Sequence, residues 1–149
     1  MLGPQQASAL RASMAQIRTR LGGPGFSPHV TICGPYGNAK EPRSIISNVS
    51  ELLPINLEIL KVGFSESEFE GFAIWFENSE PLKRLRLACT INGRKFRAFQ
   101  PHLSLHYGLE PAGVKEKAVQ PEIYDLERLT IEGLAVACVN EAESKWVLA

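Results

Sequence analysis

The sequence predicts an α+β domain built as two similar, pseudo-symmetric lobes, with antiparallel sheets lining a central cleft and helices outside. Three observations predict it. A seven-residue frame occurs twice, as Phe26-Ser27-Pro28-His29-Val30-Thr31-Ile32 and as Phe99-Gln100-Pro101-His102-Leu103-Ser104-Leu105. Each copy alternates as a strand does, so an imidazole and a hydroxyl share one face while Val30/Ile32 or Leu103/Leu105 share the other. Each half also reads helix, motif strand, helix, strand, giving one domain of two internal repeats, about 1–64 and 69–149. A pseudo-two-fold between the repeats would set the motif strands face to face across a groove.

A first helix spans Gln5 to Leu21, where Leu10, Met14, Ile17 and Leu21 repeat on one side and leave Arg11, Arg18 and Arg20 for the other. Pro4 suits its first turn and Gly22-Gly23-Pro24 stops it. The first motif strand, Pro28–Cys33, breaks at Gly34-Pro35-Tyr36-Gly37. A second helix runs from about Glu41 to Leu53, with Asn38 and Glu41 near capping-box spacing, and a strand follows near Ile55–Phe64. Ser65-Glu66-Ser67-Glu68 reads as a turn.

The strand Phe69–Glu77 is apolar on both faces over Phe72–Phe76, which places it centrally in a sheet. A helix from about Ser79 to Cys89 turns Leu82, Leu85 and Cys89 inward, and a basic loop, Asn92–Arg97, leads to the second motif strand, Pro101–Tyr107. A short helix near Val114–Gln120, a long strand near Arg128–Asn140, a hairpin at Glu141-Ala142-Glu143 and a strand Ser144–Leu148 complete the chain.

Length and composition set the frame for function. A chain of 149 residues, 44% apolar and 21% charged, has enough material for one ordinary globular core. Sixteen basic residues balance sixteen acidic ones, so no global field draws the protein onto a long nucleic acid. No apolar run approaches the roughly 20 residues of a membrane span, and no signal-peptide layout opens the chain. Cys33, Cys89 and Cys138 are an odd, scattered set read as reduced core thiols. These features lead us to expect a cytoplasmic protein with no membrane partner; a monomer is expected, although nothing in the sequence fixes the oligomeric state.

Two histidines brought together suit acid–base chemistry, because an imidazole titrates near neutrality and one copy can accept a proton while the other donates. Thr31 and Ser104 are companion hydroxyls able to donate to oxygens where negative charge gathers. One donor from each side describes a clamp for the two non-bridging oxygens of a phosphodiester. The arrangement requires no metal, cofactor or covalent nucleophile. A single His-x-Thr on a strand is ordinarily structural; a packing motif, however, has no reason to keep a polar pair on one face twice.

The doubled Pro-His-Val-Thr and Pro-His-Leu-Ser, with Leu105-His106-Tyr107-Gly108 after the second, resemble the two-histidine phosphoesterase superfamily, and most of all the small cyclic phosphodiesterases of plants and yeast. The likeness runs from the Gly22-Gly23-Pro24 lead-in to the Trp146 strand, although only the motifs are specific. It implies an enzyme, a phosphoric diester hydrolase acting on small nucleotides: ADP-ribose 1″,2″-cyclic phosphate, a by-product of tRNA splicing, and nucleoside 2′,3′-cyclic phosphates. By the family pattern His102 is the base that activates water and His29 the acid, with Thr31 and Ser104 holding the phosphate. The near-symmetry of the motifs does not itself assign the two roles. The family also places an aromatic side chain beside the base or ribose; Tyr107 matches that position and Phe69 is a looser match. Two other readings stand beside this one: processing of RNA 3′ ends or 2′–5′ linkages, and a silent nucleotide-binding module, which the intact His-x-[Thr/Ser] pairs disfavour.

Other residues carry weaker signals. His106 follows His102 at i+4 and, on a regular strand, shares its face, which sketches a three-histidine zinc site with His29; the missing carboxylate and the unexplained hydroxyls weigh against it. Arg94-Lys95-Phe96-Arg97 reads as a solvated loop, and Trp75 and Trp146 as core. Finally, an apolar strand precedes the helix of the second half, whereas only Met1-Leu2-Gly3-Pro4 precede that of the first. Both the repeat and the resemblance therefore lead us to expect a first lobe lacking its N-terminal strand.

Overall fold

Apolar periodicity and strand alternation place most elements where expected. The computed structural model describes residues 1–34, 40–65, 71–90, 99–137 and 147–148. Helix α1 (Pro4–Leu21) has proline in its first turn and ends where the Gly22 N–H bonds back to the Arg18 carbonyl. Its buried residues are Ala7, Leu10, Met14 and Ile17; of the predicted stripe, Leu21 is only half-buried, and Ala7 takes a core place one turn earlier. Helix α2 (Lys40–Val49) tightens into a 3₁₀ turn over Ser50–Leu52, then β1 (Ile55–Phe64) begins. Strand β2 (Phe72–Phe76), helix α3 (Glu80–Ala88), strand β3 (His102–His106) and helix α4 (Ala112–Ala118) follow in turn.

The main sheet is antiparallel, curled, and ordered β3-β2-β1-β4, with β4 spanning Arg128–Ile131. β2 is buried along its whole length and lies between β1 and β3, as its two-faced apolar sequence requires. One sheet thus takes strands from both halves of the chain. On its core face Leu57, Ile74, Phe76, Leu103 and Leu105 join Leu10, Ile17, Leu82 and Leu85 from α1 and α3 in one apolar cluster. Cys89 belongs to that cluster, Cys33 packs against it, and neither is in a disulfide. A hydrogen bond with the Cys33 thiol, followed by burial, pushes the Cys89 thiol up.

Several expectations change in the folded chain. The motif segments do not stand face to face across a groove; they lie side by side, joined by an antiparallel bridge between Val30 and Leu103. The first motif is strand-like only at that bridge, since Pro28 has no N–H to donate. The long closing strand is two pieces. At the break, the Glu132 and Gly133 N–H groups turn to the Met1 carbonyl, at 2.9 and 3.2 Å, and β5 (Ala135–Val136) then pairs with β6 (Val147–Leu148). Two bulges interrupt the strand alternation of the sheet, one in β1 and one where β2 meets β3. In β1 the register with β2 slips between Ile59 and Lys61, leaving Leu60 as the extra residue.

The readings placed on Phe69, Asn38, Cys138, Trp146, the Arg94–Arg97 loop and the hairpin at 141–143 lie outside the described residues, as do most of the turns after Gly34 and Ser65. No helix among the described residues is long and apolar enough to cross a membrane.

Candidate active site

The Val30–Leu103 bridge determines which side chains meet. In an antiparallel pair, residues on either side of a bridged pair also face one another, so His29 stands opposite Ser104 and Thr31 opposite His102. All four project from the face turned away from Val30 and Leu103. The histidines occupy diagonal corners of the resulting rectangle and the hydroxyls the other two. Diagonal neighbours across an antiparallel pair are roughly 7–8 Å apart, which leaves room for one phosphoryl group between two imidazoles.

Both imidazoles are oriented by the same backbone contact. His29 Nδ1 lies 2.8 Å from the Ser27 carbonyl, and His102 Nδ1 lies 3.0 Å from the Gln100 carbonyl. A carbonyl only accepts, so Nδ1 carries the proton in each ring and Nε2 is the nitrogen able to take up or give up one. This contact also explains why the residue before each proline differs between copies: its carbonyl, not its side chain, serves the histidine. Pro28 and Pro101 are both buried and hold the turn that makes the contact.

The hydroxyls are not equivalent. Thr31 is exposed, whereas Ser104 is buried and shares a hydrogen bond with the Tyr107 hydroxyl. Burial pushes the Tyr107 phenol up, and that bond partly opposes the rise. The Tyr107 ring stacks on Phe26, with centroids 4.2 Å apart and planes 15° from parallel, and Phe26 meets His29 edge-on at 6.3 Å. Tyr107 therefore stands at the four-cornered site. Phe26, its stacking partner, was missed as a site residue although its recurrence as Phe99 was visible; Phe99 instead lies 3.9 Å beneath the Arg86 guanidinium. Gly23, with φ +89°, lets the first motif's lead-in approach the end of the second. A Cβ there would stand 3.2 Å from the Tyr107 carbonyl and 3.3 Å from the His106 ring.

His106 does not join the other two histidines. A second register slip, between Phe72 and Ala73, moves it out of the regular alternation and sets it opposite Phe72. Its buried ring donates from Nε2 to Glu110 Oε2 at 3.0 Å, and that bond is the main cause holding the Glu110 carboxyl below the ordinary range. Nearby, the buried Lys115 ammonium donates to the Gly108 carbonyl at 2.8 Å. Among the described residues no group of three or more His, Cys, Asp or Glu is placed to hold a metal ion.

Trp75, expected in the core, is buried, and strand pairing also gives it a place beside the candidate site. It stands directly opposite His102 on the neighbouring strand, on the face of the four polar side chains, and outside the apolar cluster. Lys61 stands opposite Trp75 in turn, with its Nζ 4.3 Å above the indole ring. No pattern in the sequence announced either residue, because each reaches this face through strand register.

No protein-family model matches the chain, and no curated protein matches it.

Proposed function

We propose that this chain is a cyclic phosphodiesterase that hydrolyses cyclic phosphates of small nucleotides, among them ADP-ribose 1″,2″-cyclic phosphate and nucleoside 2′,3′-cyclic phosphates. The observation that carries the reading is the matched pair of imidazoles, each with Nδ1 on the carbonyl two residues before it and each beside the other motif's hydroxyl. Diagonal placement suits an in-line displacement, in which attacking and leaving oxygens lie on opposite sides of phosphorus. The resemblance to two-histidine phosphoesterases assigns the direction.

His102 Nε2 takes a proton from water as its oxygen bonds to phosphorus. The ring P–O bond breaks, and His29 gives its proton to the departing ribose oxygen. One water is added, and the histidines exchange protonation states. Thr31 and Ser104 donate to the non-bridging oxygens, whose charge grows in the transition state. Ser104 is held for this by Tyr107, and the Tyr107 ring faces the base or ribose. No step calls for a metal or cofactor. The near-identity of the two motifs supports an ancient duplication behind the two halves. Such an enzyme would work as a monomer in the cytoplasm.

The test is incubation with a panel of cyclic phosphates, with and without chelator, followed by identification of the products. Ring opening to a single phosphomonoester regioisomer, unaffected by chelator, is the expected result. Intact substrates throughout the panel would leave a silent nucleotide-binding module.

A further inference from the structure

Strand β1 carries a bulge that aims a lysine at the proposed catalytic face. Ile55, Leu57 and Ile59 alternate toward the core, and on an unbroken strand Lys61 would follow them inward. The extra residue, Leu60, is 61% exposed, and beyond it Val62 and Phe64 take the core face instead. Lys61 is thereby turned to the opposite face, level with Trp75 and, one strand further, His102. Bulges re-aim side chains in this way and concentrate next to active sites.

Trp75 fixes where the lysine goes. The buried indole offers its face to the ammonium at 4.3 Å, an arrangement favoured by the ring's quadrupole. An exposed lysine otherwise samples many rotamers, and the platform narrows that search. A cation on the same face as His102, two strands away, has an evident counterpart in a nucleotide, namely an anionic group other than the one being hydrolysed. Lys61 and His102 are separated by two strand spacings, about 10 Å at the backbone. A lysine arm together with one ribose unit covers that interval, so the phosphoryl group being cleaved and the group on Lys61 lie a sugar apart.

We propose that Lys61, positioned on Trp75, is a subsite for a second phosphate. The site would then prefer small cyclic-phosphate nucleotides that carry a further phosphoryl or diphosphate group over nucleoside cyclic phosphates that lack one. The preference rests on the two-histidine reading; the subsite itself is tested separately by binding.

The experiment compares adenosine 2′,3′-cyclic phosphate with its 5′-phosphorylated counterpart, using wild type, Lys61→Gln, Lys61→Arg and Trp75→Leu. The wild type should favour the 5′-phosphorylated substrate in kcat/KM by about tenfold or more, the scale of one charge-assisted hydrogen bond. That ratio should collapse toward unity in Lys61→Gln through KM, survive in Lys61→Arg, and fall partway in Trp75→Leu. A wild-type ratio near unity, or one unchanged in Lys61→Gln, would overturn the proposal. A short RNA ending in a 2′,3′-cyclic phosphate is the third substrate. If it exceeded the 5′-phosphorylated mononucleotide tenfold, with the excess lost in Lys61→Gln, the subsite would belong to an RNA chain and the small-nucleotide assignment would fall. Calorimetry with adenosine 2′,5′-bisphosphate and adenosine 2′-monophosphate supplies the arm that needs no turnover. Tighter binding of the bisphosphate, lost in Lys61→Gln, would uphold the subsite even if no cyclic phosphate were hydrolysed. Equal binding of the two would remove it even if hydrolysis were observed.

Discussion

Val30 faces Leu103 in an isolated antiparallel bridge, and this one pair decides the positions of four polar side chains. Leu103 is fully buried, so the contact that aligns the motifs is anchored in the apolar core. Leu103→Ala should therefore cost stability and alignment together. Truncation of a buried leucine removes about 2–5 kcal/mol. Denaturant unfolding gives the loss, and nucleotide binding measured well below the melting temperature gives the effect on alignment. A stable variant with unchanged binding would separate the bridge from the site.

Removing either imidazole should be far more damaging than removing either hydroxyl. His29→Ala and His102→Ala should each lower kcat by several powers of ten, since each deletes a proton-transfer partner. Thr31→Ala and Ser104→Ala should each cost about 2–4 kcal/mol of transition-state stabilisation, the scale of one oxyanion donor. Single-turnover rates on a cyclic phosphate measure all four. A histidine variant keeping more than about a tenth of the wild-type rate would lose its role as acid or base.

Opposite protonation states predict a bell-shaped dependence of kcat/KM on pH. The acid limb reports protonation of the base and the alkaline limb loss of the proton from the acid, with apparent values that belong to the pair. A profile flat from about pH 5 to 9, with chemistry rate-limiting, would be incompatible with the assignment.

Tyr107 should act in recognition and in holding Ser104. Tyr107→Ala should weaken binding by roughly 1–3 kcal/mol, the scale of a base–aromatic contact. Tyr107→Phe keeps the ring stacked on Phe26 but removes the hydroxyl that bonds Ser104, so its main effect should fall on kcat. Steady-state kinetics of the two variants distinguish the roles, and unchanged KM and kcat in both would remove Tyr107 from the site.

The bond between His106 and Glu110 predicts a pH-dependent stability outside the chemistry. That bond holds the Glu110 carboxyl below the ordinary range. A carboxyl depressed in the folded state stabilises it above the unfolded pKa and ceases to do so as pH falls through the folded one. Glu110→Gln should accordingly lower Tm most above about pH 4.3, with the gap closing in more acid solution. A Tm difference that persisted undiminished in acid would show that the loss is one of packing.

Local order was legible in the residues themselves. The stripe Leu10, Met14 and Ile17 determined α1, the two-faced apolar run Phe72–Phe76 determined a central strand, and the doubled His-x-[Thr/Ser] named the four candidate polar residues. These are short-range patterns, set by helical and strand periodicity. The tertiary structure alone decided how the pieces meet. It placed the motifs side by side, turned Ser104 to Tyr107, sent His106 to Glu110, set Trp75 opposite His102, and set Lys61 over Trp75. Each of these depends on register, and register depends on bulges and on pairing between residues distant in the chain. One extra residue, Leu60, reverses which side chains of β1 face the core, and alternation along the strand alone does not reveal where that reversal falls.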